Sequence, residues 1–272
     1  MLEAQAHRWD ELSPDEAVIA AGRDPVVILP LAATEQHGPH LPLSTDVDIG
    51  MGLLAAAFGN LPAGAEVWTL PPVAVGASQE HAHFAGTLSV TTERLAHAIV
   101  EEGAALARAG VRRLVLTNSH GGNRYAMDSA GLSLRAEHGL LVVKASYFRF
   151  ERPTDVSVPE SEWRHGLHGG ALETAMMMHL KPDLVRADAV ADFVSLGADL
   201  ERTLRRLGPE GQASFSWLAD DLNPAGVVGD ATLATAVMGE RLIEHYGRAL
   251  ADVILDARDF PLRRLSSGSQ TS

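Results

Sequence analysis

The sequence predicts a single α/β domain, a three-layer α/β/α sandwich around a mainly parallel sheet. Three observations carry that prediction. Apolar runs of strand length alternate with segments of helical periodicity between residues 26 and 145. The helical segments bring their own start and stop residues. Polar loops carrying histidine and acid follow the strand-like runs, at the edge where open parallel sheets place their ligands.

In chain order, residues 8–22 read as a short amphipathic helix, with Ser13 as cap, Pro14 at the first position, an acidic first turn and Gly22 as stop. Residues 26–31 are a continuous apolar run, suited to a strand buried on both faces. A helix opened by Thr45 or Asp46 runs through Phe58, and residues 66–70 form a second strand stopped by Pro71-Pro72. Residues 76–87 are polar, punctuated by glycine and too irregular for a helix, which marks a functional loop. A helix from Thr91 or Thr92 to Ala109 is closed by Gly110. The strand 113–117, the loop 118–123, the helix 124–138 and the strand 140–145 complete the alternation that implies a parallel sheet. Residues 149–164 read as loop, a helix starts at His168 and runs through Leu180, and 198–224 form a polar insertion containing Trp217. The last long helix is expected from Asp230 to Ala257, within a domain spanning 1–265 and followed by a flexible tail, 266–272.

Composition narrows the function. The 272 residues include 46% hydrophobic ones, enough for a large core. Lys+Arg 22 against Asp+Glu 35 gives a net charge of -13, which disfavours nucleic acid and anionic membrane surfaces as partners. There is no cysteine, so any metal must be held by His, Asp or Glu. The N-terminal residues show no signal-peptide pattern and no apolar run approaches about 18 residues, so a soluble cytoplasmic protein is expected.

Chemistry concentrates in residues 34–46. Glu35 and His37 are two apart, so an extended backbone presents both on one face, and the Gly38-Pro39-His40-Leu41-Pro42 loop can return Asp46 toward them. Glu, His and Asp hold zinc, manganese or iron(II), and a carboxylate such as Asp46 can bridge two ions. The plain alternative is a turn with solvated acids and a core histidine. Two further loops, Asn118-Ser119-His120-Gly121-Gly122-Asn123 and His168-Gly169-Gly170 with Glu173, add candidates from strand ends and helix starts. Glu80, His81 and Trp163 are candidate substrate contacts, His40 a structural hydrogen-bond partner, and Met176-Met177-Met178 core packing.

These three motifs in this order resemble the creatininase (creatinine amidohydrolase) family over roughly residues 25–250. The resemblance implies a metal-dependent amidohydrolase with two divalent ions per chain (Zn, Mn or Fe(II)), whose metal-bridged hydroxide attacks a non-peptide, cyclic or formyl amide C-N bond. It also implies a homo-oligomer, often a hexamer. Carried over, Glu35 and His120 match ligands of one ion, His37 a ligand of the other, Asp46 the bridge, and His168 the histidine that moves protons. Ser78 falls where creatininase proper has a substrate-contacting serine. Creatininase proper has tyrosine and glutamate where this chain has Gly121 and Gly122, the glutamate being a ligand of the second metal. Glu173 is therefore expected to supply that carboxylate, or to act as a catalytic base. Branches with the His-Gly-Gly-Asn form include enzymes that trim the mycofactocin precursor peptide, deformylate a flavin-pathway intermediate or open a keto-inositol-derived ring, so creatinine is not the expected substrate. The alternatives are a peptidase of the mycofactocin type and a non-catalytic metal or small-ligand binder, which would have no need of the His168 and Glu173 pair.

Overall fold

The computed structural model describes residues 7–265, so the expected tail lies outside the described residues. Five strands form the main sheet: β1 (His7–Arg8), β2 (Val26–Leu31), β3 (Val67–Thr69), β4 (Arg113–Asn118) and β5 (Leu141–Ser146). All pair in parallel, in the order β1-β3-β2-β4-β5. The helices, in order, are α1 (Pro14–Gly22), α2 (Thr45–Asn60), α3 (Thr92–Ala109), α4 (Arg124–His138), α5 (Glu160–His165), α6 (Ala171–Leu180), α7 (Leu196–Glu201), α8 (Ala219–Leu222) and α9 (Ala236–Asp259). None of the described helices is long and apolar enough to cross a membrane.

The strict alternation of side chains along a strand builds the three layers. Val27, Leu29, Leu31, Leu114 and Leu116 face α3 and α4, where Leu95, Ile99, Met127 and Leu134 are buried. Val26, Ile28 and Val115 face the opposite way, onto Leu54 and Phe58 of α2 and Leu250 and Ile254 of α9. A third cluster packs α2, α6 and α9 together, and Met176 and Met177 are fully buried in it. The pairing of β2 with β4 runs from Val26↔Arg113 to Leu31↔Asn118, so the two strands end level and the loops after them start side by side.

Several boundaries differ from expectation, each for a local reason. The first helix begins at Pro14, not residue 8, because Ser13 and Glu16 form a reciprocal capping box; the Ser13 N–H donates to the Glu16 carboxylate at 2.8 Å. His7 and Arg8 instead pair with Trp68 and Thr69. The loop 149–164 contains α5, and the insertion holds α7, α8 and a two-strand ladder of β7 (Leu207–Gly208) with β8 (Ala213–Ser214). A second short ladder joins β6 (Asp192–Phe193) to β9 (Gly229–Asp230). Asp230 therefore caps only a 3-10 turn, through Thr232 N, and α9 starts at Ala236 under the Thr235 cap. The sixth helix begins at Ala171, since His168 bridges Val228 and Gly169 takes a left-handed φ of 66°.

The α6 to α9 crossing depends on Gly239, where an added Cβ would lie 1.9 Å from the Ala175 carbonyl oxygen. Gly239→Ala gains about 1 kcal/mol of helix propensity yet is expected to lose about 1–3 kcal/mol overall through forced separation of the helices. Urea denaturation measures the sign; a more stable variant would mean that the two helices do not meet this closely.

Candidate metal centre

Every candidate ligand lies at the C-terminal edge of the sheet or in the first turn of a helix directed at it. Glu35 and His37 follow β2, His120 follows β4, Asp46 is in the first turn of α2 and Glu173 in the first turn of α6. Helix N-termini favour the negative charge of these two acids. The amides of Asn118 and Asn123 fix the three loops relative to one another. Asn123 Oδ1 accepts from Ala77 N at 3.0 Å, and its Nδ2 donates to Ala32 O at 3.1 Å and Asn118 Oδ1 at 3.2 Å. Asn118 Nδ2 donates to His120 O at 2.8 Å.

Glu35 and His37 are 0% and 1% exposed, Asp46 2% and His120 4%, which excludes the solvated-turn alternative. Glu35 Oε1 and Oε2, His37 Nε2 and Asp46 Oδ2 are buried with no hydrogen-bond partner among the described residues. Unpaired atoms of this kind are costly unless a cation takes them. Their neighbours fit one. The ligand atoms of Glu35, Asp46 and His120 lie within 4.8 Å of one another, as do those of His37, Asp46 and Glu173, so Asp46 belongs to both sets. A third set at the same spacing is Glu35, His37 and His168. Second hydrogen bonds orient the rings: His37 Nδ1 donates to Glu35 O at 3.2 Å, leaving Nε2 inward. His120 Nε2 donates to Ala77 O at 3.0 Å, leaving Nδ1 3.2 Å from Glu35 Oε1 and 3.5 Å from Asp46 Oδ2.

Electrostatics without metal show the same strain. Burial pushes Glu35 up, but His120, His81 and His168 outweigh it and hold the carboxyl well below the usual range. Burial and the Glu35 charge raise Asp46 to about 6. Burial pushes His37 and His120 down, yet the facing carboxylates prevail and raise them to about 9 and about 10. His168 goes the other way, lowered to about 4 by burial and by His37.

Of the sequence-predicted residues, all but Trp163 converge on the cluster. His168 Nε2 donates to Gln36 O at 2.8 Å, and its Nδ1 is 3.8 Å from Glu35 Oε1. Glu173 Oε2 accepts from Gly169 N at 2.6 Å and lies 3.9 Å from His37 Nε2. His81 is buried, stacks on His168 with centroids 4.3 Å apart, and sets Nε2 3.5 Å from Glu35 Oε1. Ser78 Oγ is 3.3 Å from His120 Nε2, and Glu80 Oε1 is 3.8 Å from the same nitrogen. Trp163 packs in the α2/α6/α9 cluster with the Arg152 guanidinium 4.9 Å over its ring. His40 Nε2 donates to Gly169 O at 3.0 Å, in the structural role expected of it. At Gly122 a Cβ would fall 2.2 Å from Ala77 O and 2.5 Å from His120 Nε2, so a glutamate here would require the Ala77 backbone and the His120 ring to shift.

Two residues were not singled out from sequence. Gln36 Nε2 donates to Gly226 O at 2.5 Å and contacts His81 Nδ1 at 2.8 Å, joining the motif to the far loop. The Tyr147 hydroxyl donates to Glu173 Oε1 at 3.4 Å. Its place just past the end of β5, on the ligand-binding edge, is the signal that points to it.

Fold and site together define a class: an α/β amidohydrolase with a buried centre of carboxylates and imidazoles. The family model described as Creatininase: Creatinine amidohydrolase matches residues 10–254. The chain belongs to the creatininase family. A mycofactocin precursor peptide peptidase of Mycolicibacterium smegmatis is 36% identical over 235 residues, covering 85% of this chain and 84% of that protein. A creatinine amidohydrolase of Pseudomonas putida is 34% identical over 204 residues, covering 68% and 74%. The crystal structure of a creatinine amidohydrolase superposes with a TM-score of 0.73 at 28% identity, over 94% of this chain and 99% of that one. A structure described as Creatininase Mn gives 0.74 at 26% identity, over 94% and 100%.

Because His37 and His120 hold protons to about 9 and about 10 in the metal-free protein, ion binding at pH 7.5 must expel them. Titration calorimetry with Mn²⁺ in two buffers of different ionisation enthalpy should give release of about two protons per chain when both sets fill. Zero net release would contradict the assignment of both rings as ligands.

Proposed function

We propose that this chain is a two-ion amidohydrolase that cleaves an amide bond in a peptide of the mycofactocin-precursor type. The observation carrying the two-ion reading is the pair of ligand sets sharing Asp46, built around buried atoms that lack a hydrogen-bond partner among the described residues. Glu35, Asp46 and His120 would hold one ion, and His37, Asp46 and Glu173 the other. The mixture of oxygen and imidazole donors suits manganese, zinc or iron(II). When bound, two such ions supply an activated water and polarise the carbonyl it attacks.

The protein's own part is proton movement and orientation. With Nε2–H committed to Gln36 O, His168 presents an unprotonated Nδ1 to the cluster. It can accept a proton at Nδ1 and deliver it to the leaving nitrogen. Neutral His81, lowered to about 2 by burial and the neighbouring His168, stacks against that ring and limits its rotation. Ser78, Glu80 and Trp163 are proposed to contact substrate.

A peptide substrate is supported by the mycobacterial peptidase, whose alignment reaches 85% of the chain against 68% for the creatinine amidohydrolase. The second reading, a small cyclic or formyl amide, draws on the latter relative. A homo-oligomer, implied by the family, belongs to the same proposal. Incubation of the metal-loaded protein with a synthetic precursor peptide, lactams and formamides, followed by mass spectrometry, separates the readings. Peptide cleavage alone is expected; turnover of only a lactam or formamide would overturn the peptide reading.

Variants test the roles. Asp46→Ala should lower the occupancy of both ions in metal analysis, as a bridging ligand requires. His168→Ala should keep both ions and lose about 10²–10⁴ in rate, with a changed acidic limb of the pH profile, because the ring must start unprotonated. Loss of one ion would make His168 a ligand, as the third set permits.

A further inference from the structure

Glu162 is a buried acid that the proposed chemistry does not use. It sits in α5, is 5% exposed, and has both carboxylate oxygens engaged by backbone: Oε1 accepts from Ala171 N at 2.7 Å and Oε2 from Asp230 N at 2.8 Å. Ala171 is the first residue of α6 and Asp230 the last of β9, so one side chain ties two segments that flank His168. Two fixed backbone N–H donors take the place of water at this carboxylate, one of them at the N-terminus of α6. The surroundings are shaped for it. A Cβ at Gly166, Gly170 or Gly229 would lie 2.3, 2.5 or 2.7 Å from Glu162 Oε1.

The backbone of residues 168–171 shows what this carboxylate holds. The His168 carbonyl accepts from Val228 N at 2.8 Å, Gly169 N donates to Glu173 Oε2, and the Gly169 carbonyl accepts from His40 Nε2. Ala171 N donates to Glu162. The turn between His168 and Glu173 is therefore secured along its length, and Glu162 links it directly to β9.

We propose that Glu162 is a positioning residue of the centre, clamping the first turn of α6 to β9 so that His168 and Glu173 face His37 and Asp46. It acts through the Ala171 and Asp230 backbone, not on substrate. The inference rests on the reading of His37, Asp46 and Glu173 as one ion's ligands.

Glu162→Gln preserves size but turns an amide NH₂ against one of the two N–H donors, so one tie is lost. Mn²⁺ is titrated into the metal-free wild type and variant, with thermal unfolding as a folding control. Expected is a loss of about 10–100-fold in affinity for the ion held by Glu173, with the ion on Glu35, Asp46 and His120 unchanged. Hydrogen exchange on the metal-free proteins should lose protection at 168–174 and 228–231 and keep it elsewhere. Gly166→Ala, which drives a methyl onto Oε1, should reproduce both patterns and serves if Glu162→Gln does not fold. Wild-type affinity for both ions with unchanged exchange overturns the proposal, as does equal weakening of both ions with protection lost throughout. If neither variant folds, Glu162 is a general folding determinant and the proposal falls. If the wild type takes up fewer than two ions, the two-ion reading fails separately, and the exchange pattern alone decides for or against Glu162.

Discussion

Two carboxylates, Glu35 and Asp46, are buried together, and the organisation of the site follows from balancing their charge. At an effective dielectric near 20, like charges about 4 Å apart repel by about 4 kcal/mol, before the cost of removing each from water. The chain answers with His37 and His120, which the acids hold protonated in the metal-free protein. The same atoms would serve divalent ions once those protons leave. Holding buried charges at these separations needs rigid walls.

The walls come from the sheet and from amide clamps. Because β2 and β4 end in register, the loops bearing Glu35 and His120 start beside each other. Asn118 and Asn123 then join the loops at Ala32, Ala77 and His120 by hydrogen bonds that allow little displacement. Close packing sets the ligand identity as well. Gly122 lies so close to Ala77 and His120 that a side chain there would force them to shift, so under the two-ion proposal the remaining carboxylate would come from another element. Glu173 is placed for that role in the first turn of α6, steadied by Gly169 N–H and the Tyr147 hydroxyl.

Local signals suffice where they are self-contained. The spans of α3 and α4 match the expected helices because Thr91, Gly110 and Gly139 set their boundaries within a few residues. The same logic placed the first helix too early and α9 at Asp230, since each neighbouring segment was claimed by a partner distant in sequence. His7 pairs with Trp68, and Asp230 pairs with Asp192. Propensity carries no information about such pairings.

For the site, residue types and spacing pointed to Glu35, His37, Asp46, His120, His168 and Glu173 as candidates, because each lies at a strand end or helix start, and the fold brings them together. Hydrophobic alternation likewise determined the layered α/β class. Only the folded chain decided that Asp46 is common to two candidate ligand sets, that His168 turns Nδ1 inward, and that Gln36, Tyr147 and Glu162 hydrogen-bond to groups of the site or its flanking turns. The reason is physical. Chemistry-bearing loops announce themselves by composition, whereas the orientation of a ring or carboxylate is set by hydrogen bonds to backbone groups up to 190 residues away, as between Gln36 and Gly226.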